Sequence, residues 1–293
     1  MPNDPHAGNR LLAGLVDDAG LFPPTALAMP DAVARHRADL AAGHGVLTHR
    51  FLCPASRLGE LRGELTEPDR MAIGLIADTG TQGLPGALRE LDEDPRLRLA
   101  GLEFPLSGTD EPKPEGAVAA VLRATVEVPG AVPLFLEPAT FGDAGATCAA
   151  LTGREVSRTV GLKARCGGVR AELFPSVEAL ARFVLTAVAA GLPMKATAGL
   201  HHAVRYIDRG TGFTHHGYLN LLVAVADAVV GAGPDTVAAT LRTTDSVGLA
   251  SRAAGLDAAT VAATRRVLTS YGSCSTRVPV EEAGALGLWH TAS

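Results

Sequence analysis

The strongest chemical signal in the chain comes from its lysines. Of 26 basic side chains only Lys113, Lys163 and Lys195 are lysine, and the other 23 are arginine. Where arginine serves so widely as the generic cation, a lysine at a structurally central place invites a chemical reason. Arginine cannot replace it as a Schiff-base amine or a tunable base. Lys163 opens the run Lys163-Ala164-Arg165-Cys166-Gly167-Gly168-Val169-Arg170, and Lys195 opens Lys195-Ala196-Thr197-Ala198-Gly199-Leu200-His201-His202. An unperturbed lysine, with pKa ~10.4, is protonated near neutrality and inert as a nucleophile. A neighbouring cation and desolvation lower that pKa, so Lys163 and Arg165 beside Lys195 would free its amine. With its charge retained, Lys195 is instead a clamp on an anionic substrate. Gly167-Gly168 after a cationic pair either lets backbone N–H groups approach a phosphate or carboxylate, or serves a tight turn for its dihedrals alone.

The two runs resemble the lysine motifs of class I aldolases of the deoxyribose-phosphate type. Those enzymes carry a Lys-x-Thr/Ser-x-Gly strand, matched here by Lys195, Thr197 and Gly199, and a Lys-x-x-Gly-Gly-(Ile/Val)-Arg strand, matched by Lys163, Gly167, Gly168, Val169 and Arg170. The resemblance covers these stretches only. The strand order is reversed, and the glycine pair lies one residue further from its lysine. It implies Lys195 as the Schiff-base lysine, Lys163 as the lysine that tunes it, and the glycines as a phosphate cradle.

The elements that must position these residues follow from the apolar pattern. Strand-like runs are predicted at 11–16, 46–53, 71–78, 97–104, 132–137, 159–165 and 193–197, with helices at 30–42, 56–65, 84–91, 115–127, 144–151, 176–190 and 216–230 between and after them. Strands alternating with helices predict a parallel sheet. The count in this length points to a single (β/α)8 barrel of the α/β class over 1–293, with an insertion or extension around 232–293; an open doubly wound sheet is the alternative. The eighth strand is Val267–Gly272, after a helix at 258–266, or else Val237–Thr244; the first is favoured.

Barrel active sites lie at the C-terminal strand ends. Those ends carry Arg50, Asp78, Glu103, Glu137, Lys163, Arg165, Lys195 and Thr197. Period-two alternation puts Lys163 and Arg165 on one face, and Glu137 with Phe135 on another. Facing inward, they form either a reaction centre or a buried salt-bridge network. Glu137 and Glu103 are the candidate acid/base pair, and His201 or His202 a further proton donor. Arg50, Arg165, Gly167, Gly168, His216, Asp18, Ser273 and Cys274 are candidate substrate contacts. Should a divalent metal be present, His201, His216 and Glu137 are its candidate ligands; otherwise no cofactor is expected.

Composition narrows the classes. The 293 residues are 47% hydrophobic and 19% charged with a net charge of −5, which excludes a disordered chain and argues against nucleic-acid or membrane-surface partners. No apolar run is long enough to span a bilayer. The N-terminal Met-Pro-Asn-Asp-Pro-His shows no charged stretch leading into an apolar one, so no secretory signal is expected. Cys53, Cys148, Cys166 and Cys274 form no metal-binding or disulfide spacing, which predicts reduced thiols and a cytoplasmic chain. The reading is a barrel lyase, aldolase-like, on a small anionic oxygenated substrate with or without a phosphate, acting as a monomer or a homo-oligomer. The alternatives are a metal-dependent lyase or isomerase with lysine-stabilised enolate, and a non-catalytic barrel that binds a sugar phosphate.

Overall fold

A computed structural model describes residues 7–154 and 156–290, so the N-terminal reading at 1–6 and the end of the C-terminal extension lie outside the described residues. Eight parallel strands close into a barrel: β1 (Val16–Asp18), β2 (Leu47–Pro54), β3 (Met71–Ile76), β4 (Leu97–Pro105), β5 (Leu134–Glu137), β6 (Val160–Arg165), β7 (Met194–Thr197) and β10 (Leu268–Ser273). Closure joins strands from the two ends of the sequence, Val16 opposite Tyr271 and Asp18 opposite Ser273. The fold is therefore the (β/α)8 barrel expected, and not the open sheet. A two-stranded antiparallel hairpin, β8 (Tyr206–Ile207) with β9 (Thr214–His215), sits in the connection after β7.

One assignment is corrected, and the favoured eighth strand, Val267–Gly272, corresponds to β10 (Leu268–Ser273). Leu11–Val16 is not the first strand. Residues Ala7–Leu12 form α1, and Gly14, with φ 54°, turns the chain into β1 two residues before Asp18. An apolar run of six residues fits a buried helix as well as a strand, and here the helix face wins. The rejected eighth-strand candidate, 237–244, is largely α9 (Pro234–Arg242). With α10 (Ser246–Ala254) it forms a helical pair inserted between α8 (Tyr218–Val229) and α11 (Ala258–Val267). These helices pack around α8, whose residues are buried almost all round. The remaining outer helices are α2 (Met29–Ala42), α3 (Leu58–Glu64), α4 (Gly80–Asp92), α5 (Pro114–Ala124), α6 (Ala144–Leu151), α7 (Val177–Ala189) and α12 (Arg277–Ala285). None of these helices is long and apolar enough to cross a membrane.

Branched aliphatic side chains commonly fill the interior of such a barrel. This one is charged. Gly74 on β3 and Gly101 on β4 make room for the Arg50 side chain, because a Cβ at Gly74 would stand 3.1 Å from its Cδ and one at Gly101 3.3 Å from its Nη1. In the layer above, Lys163 of β6 lies in register with Lys195 of β7, and Lys195 with Ser270 of β10. Strand alternation then places Arg165, Thr197 and Gly272 one layer nearer the mouth.

Candidate functional site

The inward charges form one alternating chain of contacts. Lys195 Nζ lies 2.6 Å from Asp17 Oδ2 and donates a short hydrogen bond to Glu103 Oε1. Lys163 Nζ stands 2.7 Å from Glu103 Oε2 and 3.0 Å from Glu137 Oε2. Arg165 Nε donates to Glu137 Oε1 at 2.7 Å, and Arg50 Nε approaches Asp17 Oδ1 at 3.6 Å. The order across the barrel is therefore Arg50, Asp17, Lys195, Glu103, Lys163, Glu137, Arg165. Thr48 Oγ1 and Ser270 Oγ donate to Asp17 at 2.6 and 2.8 Å, and the Phe135 ring lies 5.7 Å from Lys195 Nζ.

Electrostatics fix the protonation of this chain. Burial alone would raise the pKa of Glu103, but Lys163 and Lys195 outweigh it and bring the value down to about 2. The same contest, between burial and the charges of Lys163 and Arg165, leaves Glu137 below its ordinary value. Asp17 is also lowered, burial being opposed by Lys195 and Arg50. Burial pulls Lys163 down, and Glu103 and Glu137 more than reverse it, so its pKa is raised. The expected acid/base pair is thus two carboxylates, both ionised. Neither holds a proton to give in the resting protein, whereas both can accept one.

Asp17, in the chain but not among the expected contacts, takes the place assigned to Asp18. With the strand starting at Val16, alternation turns Asp17 inward and Asp18 outward. Asp18 accepts from Arg35 and the Gly20 N–H and lies 3.0 Å from His36 Nδ1, behind the barrel wall. Arg50 is at the strand interior and not at the mouth. Asp78 lies beyond β3 and is tied to Ser56.

A cavity of about 260 Å³ opens over the top of this network. Lys163 and Arg165 line it, with Thr197, His201, Cys274 and Gly168; Lys195 does not. Lys163 is therefore the lysine that meets the cavity, whereas the resemblance implied Lys195 as the reacting lysine. Its two carboxylate contacts are charge contacts without hydrogen-bond alignment, because Glu103 Oε2 and Glu137 Oε2 have no hydrogen-bond donor among the described residues. Cys274 Sγ lies 3.3 Å from His201 Nδ1, and burial, then His215 and His202, lower the His201 pKa to about 4. The His201 ring is neutral near pH 7.

Three expected contacts lie elsewhere. His202 pairs with Glu282 at 2.5 Å on a separate surface depression. His216 is buried, its Nε2 2.9 Å from the Pro175 carbonyl oxygen and its Nδ1 3.1 Å from Arg205 Nη1, so it locks the loop after β7 rather than facing substrate. Ser273 Oγ donates to the Ser275 carbonyl oxygen at 2.7 Å. His201, His216 and Glu137 thus point to three different places. Among the described residues no group of three or more His, Cys, Asp or Glu side chains is arranged to hold a metal. Burial lowers the His216 pKa to about 4 as well. A depressed histidine pKa gives stability that is complete above pH ~6.5 and lost as pH falls toward the folded value, because only the unfolded ring takes up the proton. Near pH 5 this pair is expected to add about two protons on unfolding, read from the pH slope of urea unfolding; a flat slope would contradict the burial of both rings.

The glycines answer to packing. A Cβ on Gly167 would stand 2.8 Å from the Gly199 Cα, and one on Gly199, at φ 71°, 2.4 Å from the Cys166 carbonyl oxygen. The loops after β6 and β7 approach each other backbone to backbone there. Gly168 packs on Leu173 and lines the cavity. Gly199→Ala combines a clash with a left-handed backbone and is expected to cost about 1–3 kcal/mol or more, checked by denaturant unfolding; an unchanged midpoint would contradict the loop contact. The four cysteines are free and buried, with Cys53 and Cys166 pushed up to about 12 by burial. No family model and no curated protein sequence matches the chain.

Proposed function

We propose that the protein is an enzyme of the lyase type that forms an enolate from a small anionic carbonyl compound. The observation that carries this reading is Lys163, buried in the barrel, flanked by two ionised carboxylates, and present in the cavity wall. Arg165, whose side chain is 43% exposed and gives Glu137 only its Nε, supplies the anion-binding cation. In the step this arrangement fits, the neutral His201 ring, which lines the cavity, takes the proton of a β-hydroxyl and the adjacent carbon–carbon bond breaks. Its electron pair moves onto the carbonyl oxygen, where the Lys163 ammonium stabilises the charge. The proton held by His201 then returns to the enolate carbon. Lys195 acts through Glu103, holding it ionised against Lys163, as a positioning residue.

Lysine chemistry through a Schiff base is the competing reading, and the aldolase resemblance favours it. It needs a neutral amine, whereas Lys163 is paired with Glu103 and Glu137, and its pKa is raised. Borohydride trapping with a panel of small aldehydes, ketones and keto acids separates the two. The charge-stabilising reading expects turnover without a covalent adduct. A reduced adduct on Lys163 or Lys195 would overturn it in favour of the Schiff base.

A further inference from the structure

The cavity wall divides by chemistry. Its polar side comes from β6, β7 and the turn after β10: Lys163, Arg165, Thr197, His201 and Cys274. Its other side is apolar and comes from the loop after β1 and from β2 and β3, chiefly Phe22, Leu52 and Ile76, and Val169 and Leu173 of the loop after β6 add apolar surface beside Arg165. In the closed barrel β6 and β7 lie across from β2 and β3, so a bound molecule spans from Lys163 and Arg165 to Leu52 and Ile76.

Charge and size narrow the occupant further. The network counts four cations, Arg50, Lys195, Lys163 and Arg165, against three carboxylates, Asp17, Glu103 and Glu137. One added negative charge balances it, and the cation nearest solvent at the cavity end is Arg165. A second negative charge would stand near Glu137 and Glu103 with nothing left to neutralise it. The volume of about 260 Å³ lies below the range of drug-sized pockets.

From this we infer that the substrate is a short-chain keto monocarboxylate with an unbranched or branched apolar tail, below drug size, and not a sugar phosphate. The carboxylate lies against the outer edge of Arg165, the keto oxygen toward Lys163, and the tail against Phe22, Leu52 and Ile76. The inference rests on the enolate reading for its site, but its test measures binding and not turnover.

The experiment is calorimetric titration of the full chain with 2-keto acids of increasing chain length, with 2-ketoglutarate as dicarboxylate, and with inorganic phosphate and ribose 5-phosphate. The expected result is affinity that rises about fourfold per added methylene until the cavity is full, with the dicarboxylate and both phosphates at least about tenfold weaker. Arg165→Met, at a half-exposed position, is expected to weaken the whole series by about tenfold or more. Ile76→Thr is expected to flatten the chain-length dependence. Tighter binding of ribose 5-phosphate or of the dicarboxylate, no dependence on chain length, or no binding by any keto acid would each overturn the inference. Keto acids that bind with the expected dependence, yet show no exchange of their carbon-bound protons, leave the substrate class standing and remove the enolate reading.

Discussion

Replacing Glu103 by Gln is expected to cause the largest loss of stability of any single change in the barrel. Glu103 is 1% exposed and is shared by Lys163 and Lys195. Its neutral replacement leaves each buried ammonium group with a single carboxylate, Lys163 with Glu137 and Lys195 with Asp17, and the network with four cations against two carboxylates. Removing one partner of a buried ion pair costs about 3–5 kcal/mol, and the excess of buried positive charge places this change in that range. A like substitution in the half-exposed pair of His202 and Glu282, Glu282→Gln, is expected to cost about 0–1 kcal/mol. The double variant Glu103→Gln with Lys195→Met removes a charge of each sign, so it is expected to be less damaging than the sum of the two single changes. Urea unfolding of the four proteins decides this, and strict additivity would contradict a shared network. The pH dependence has a definite sign as well. Glu103 has a folded pKa of about 2, so its contribution is complete above the ordinary carboxylate value and is lost as pH falls from ~4.5 toward 2. In Glu103→Gln that acid limb shrinks.

Lys163→Met is expected to cause the largest loss of activity. Removing one preorganised donor at a developing oxyanion costs about 10²–10³ in kcat. Lys163 is the lysine in the cavity wall, and the carboxylate of a substrate is held by Arg165, so KM is expected to stay within about threefold while kcat falls. Lys195→Met is expected to change the pH profile, since Lys195 bears on Glu103 and does not reach the cavity. A Lys163→Met variant that keeps full turnover while folded would remove the lysine from the reaction.

Much of this was legible in the residues. The scarcity of lysine pointed to Lys163 and Lys195, and strand alternation correctly put Lys163 with Arg165 and Glu137 with Phe135 inside the barrel. Two kinds of information were not legible. The first strand is three residues long, too short to show a period, and its start decides whether Asp17 or Asp18 faces inward. A strand start at Val16, together with the Gly14 turn, was the signal that could have found Asp17. The histidines after β7 lie on a long connection whose path depends on contacts distant in sequence, Glu282 for His202 and Pro175 for His216. Spacing along the chain carries no record of those partners. The protonation of Lys163 was likewise hidden. Burial alone would lower its pKa, but Glu103 and Glu137 raise it, and their placement beside it depends on register across β4, β5 and β6.

The central claim, that this barrel draws charge from a carbon acid onto an oxygen beside Lys163, is tested most directly by proton exchange. Small 2-keto acids would be incubated in D2O with the wild-type chain and with folded Lys163→Met, and the loss of the proton signal next to the carbonyl followed by NMR. The account predicts protein-dependent exchange in at least one apolar-tailed keto acid, slowed about 10²–10³-fold by the substitution. Exchange that is absent from every keto acid the wild-type chain binds, or equally fast in Lys163→Met, would contradict it.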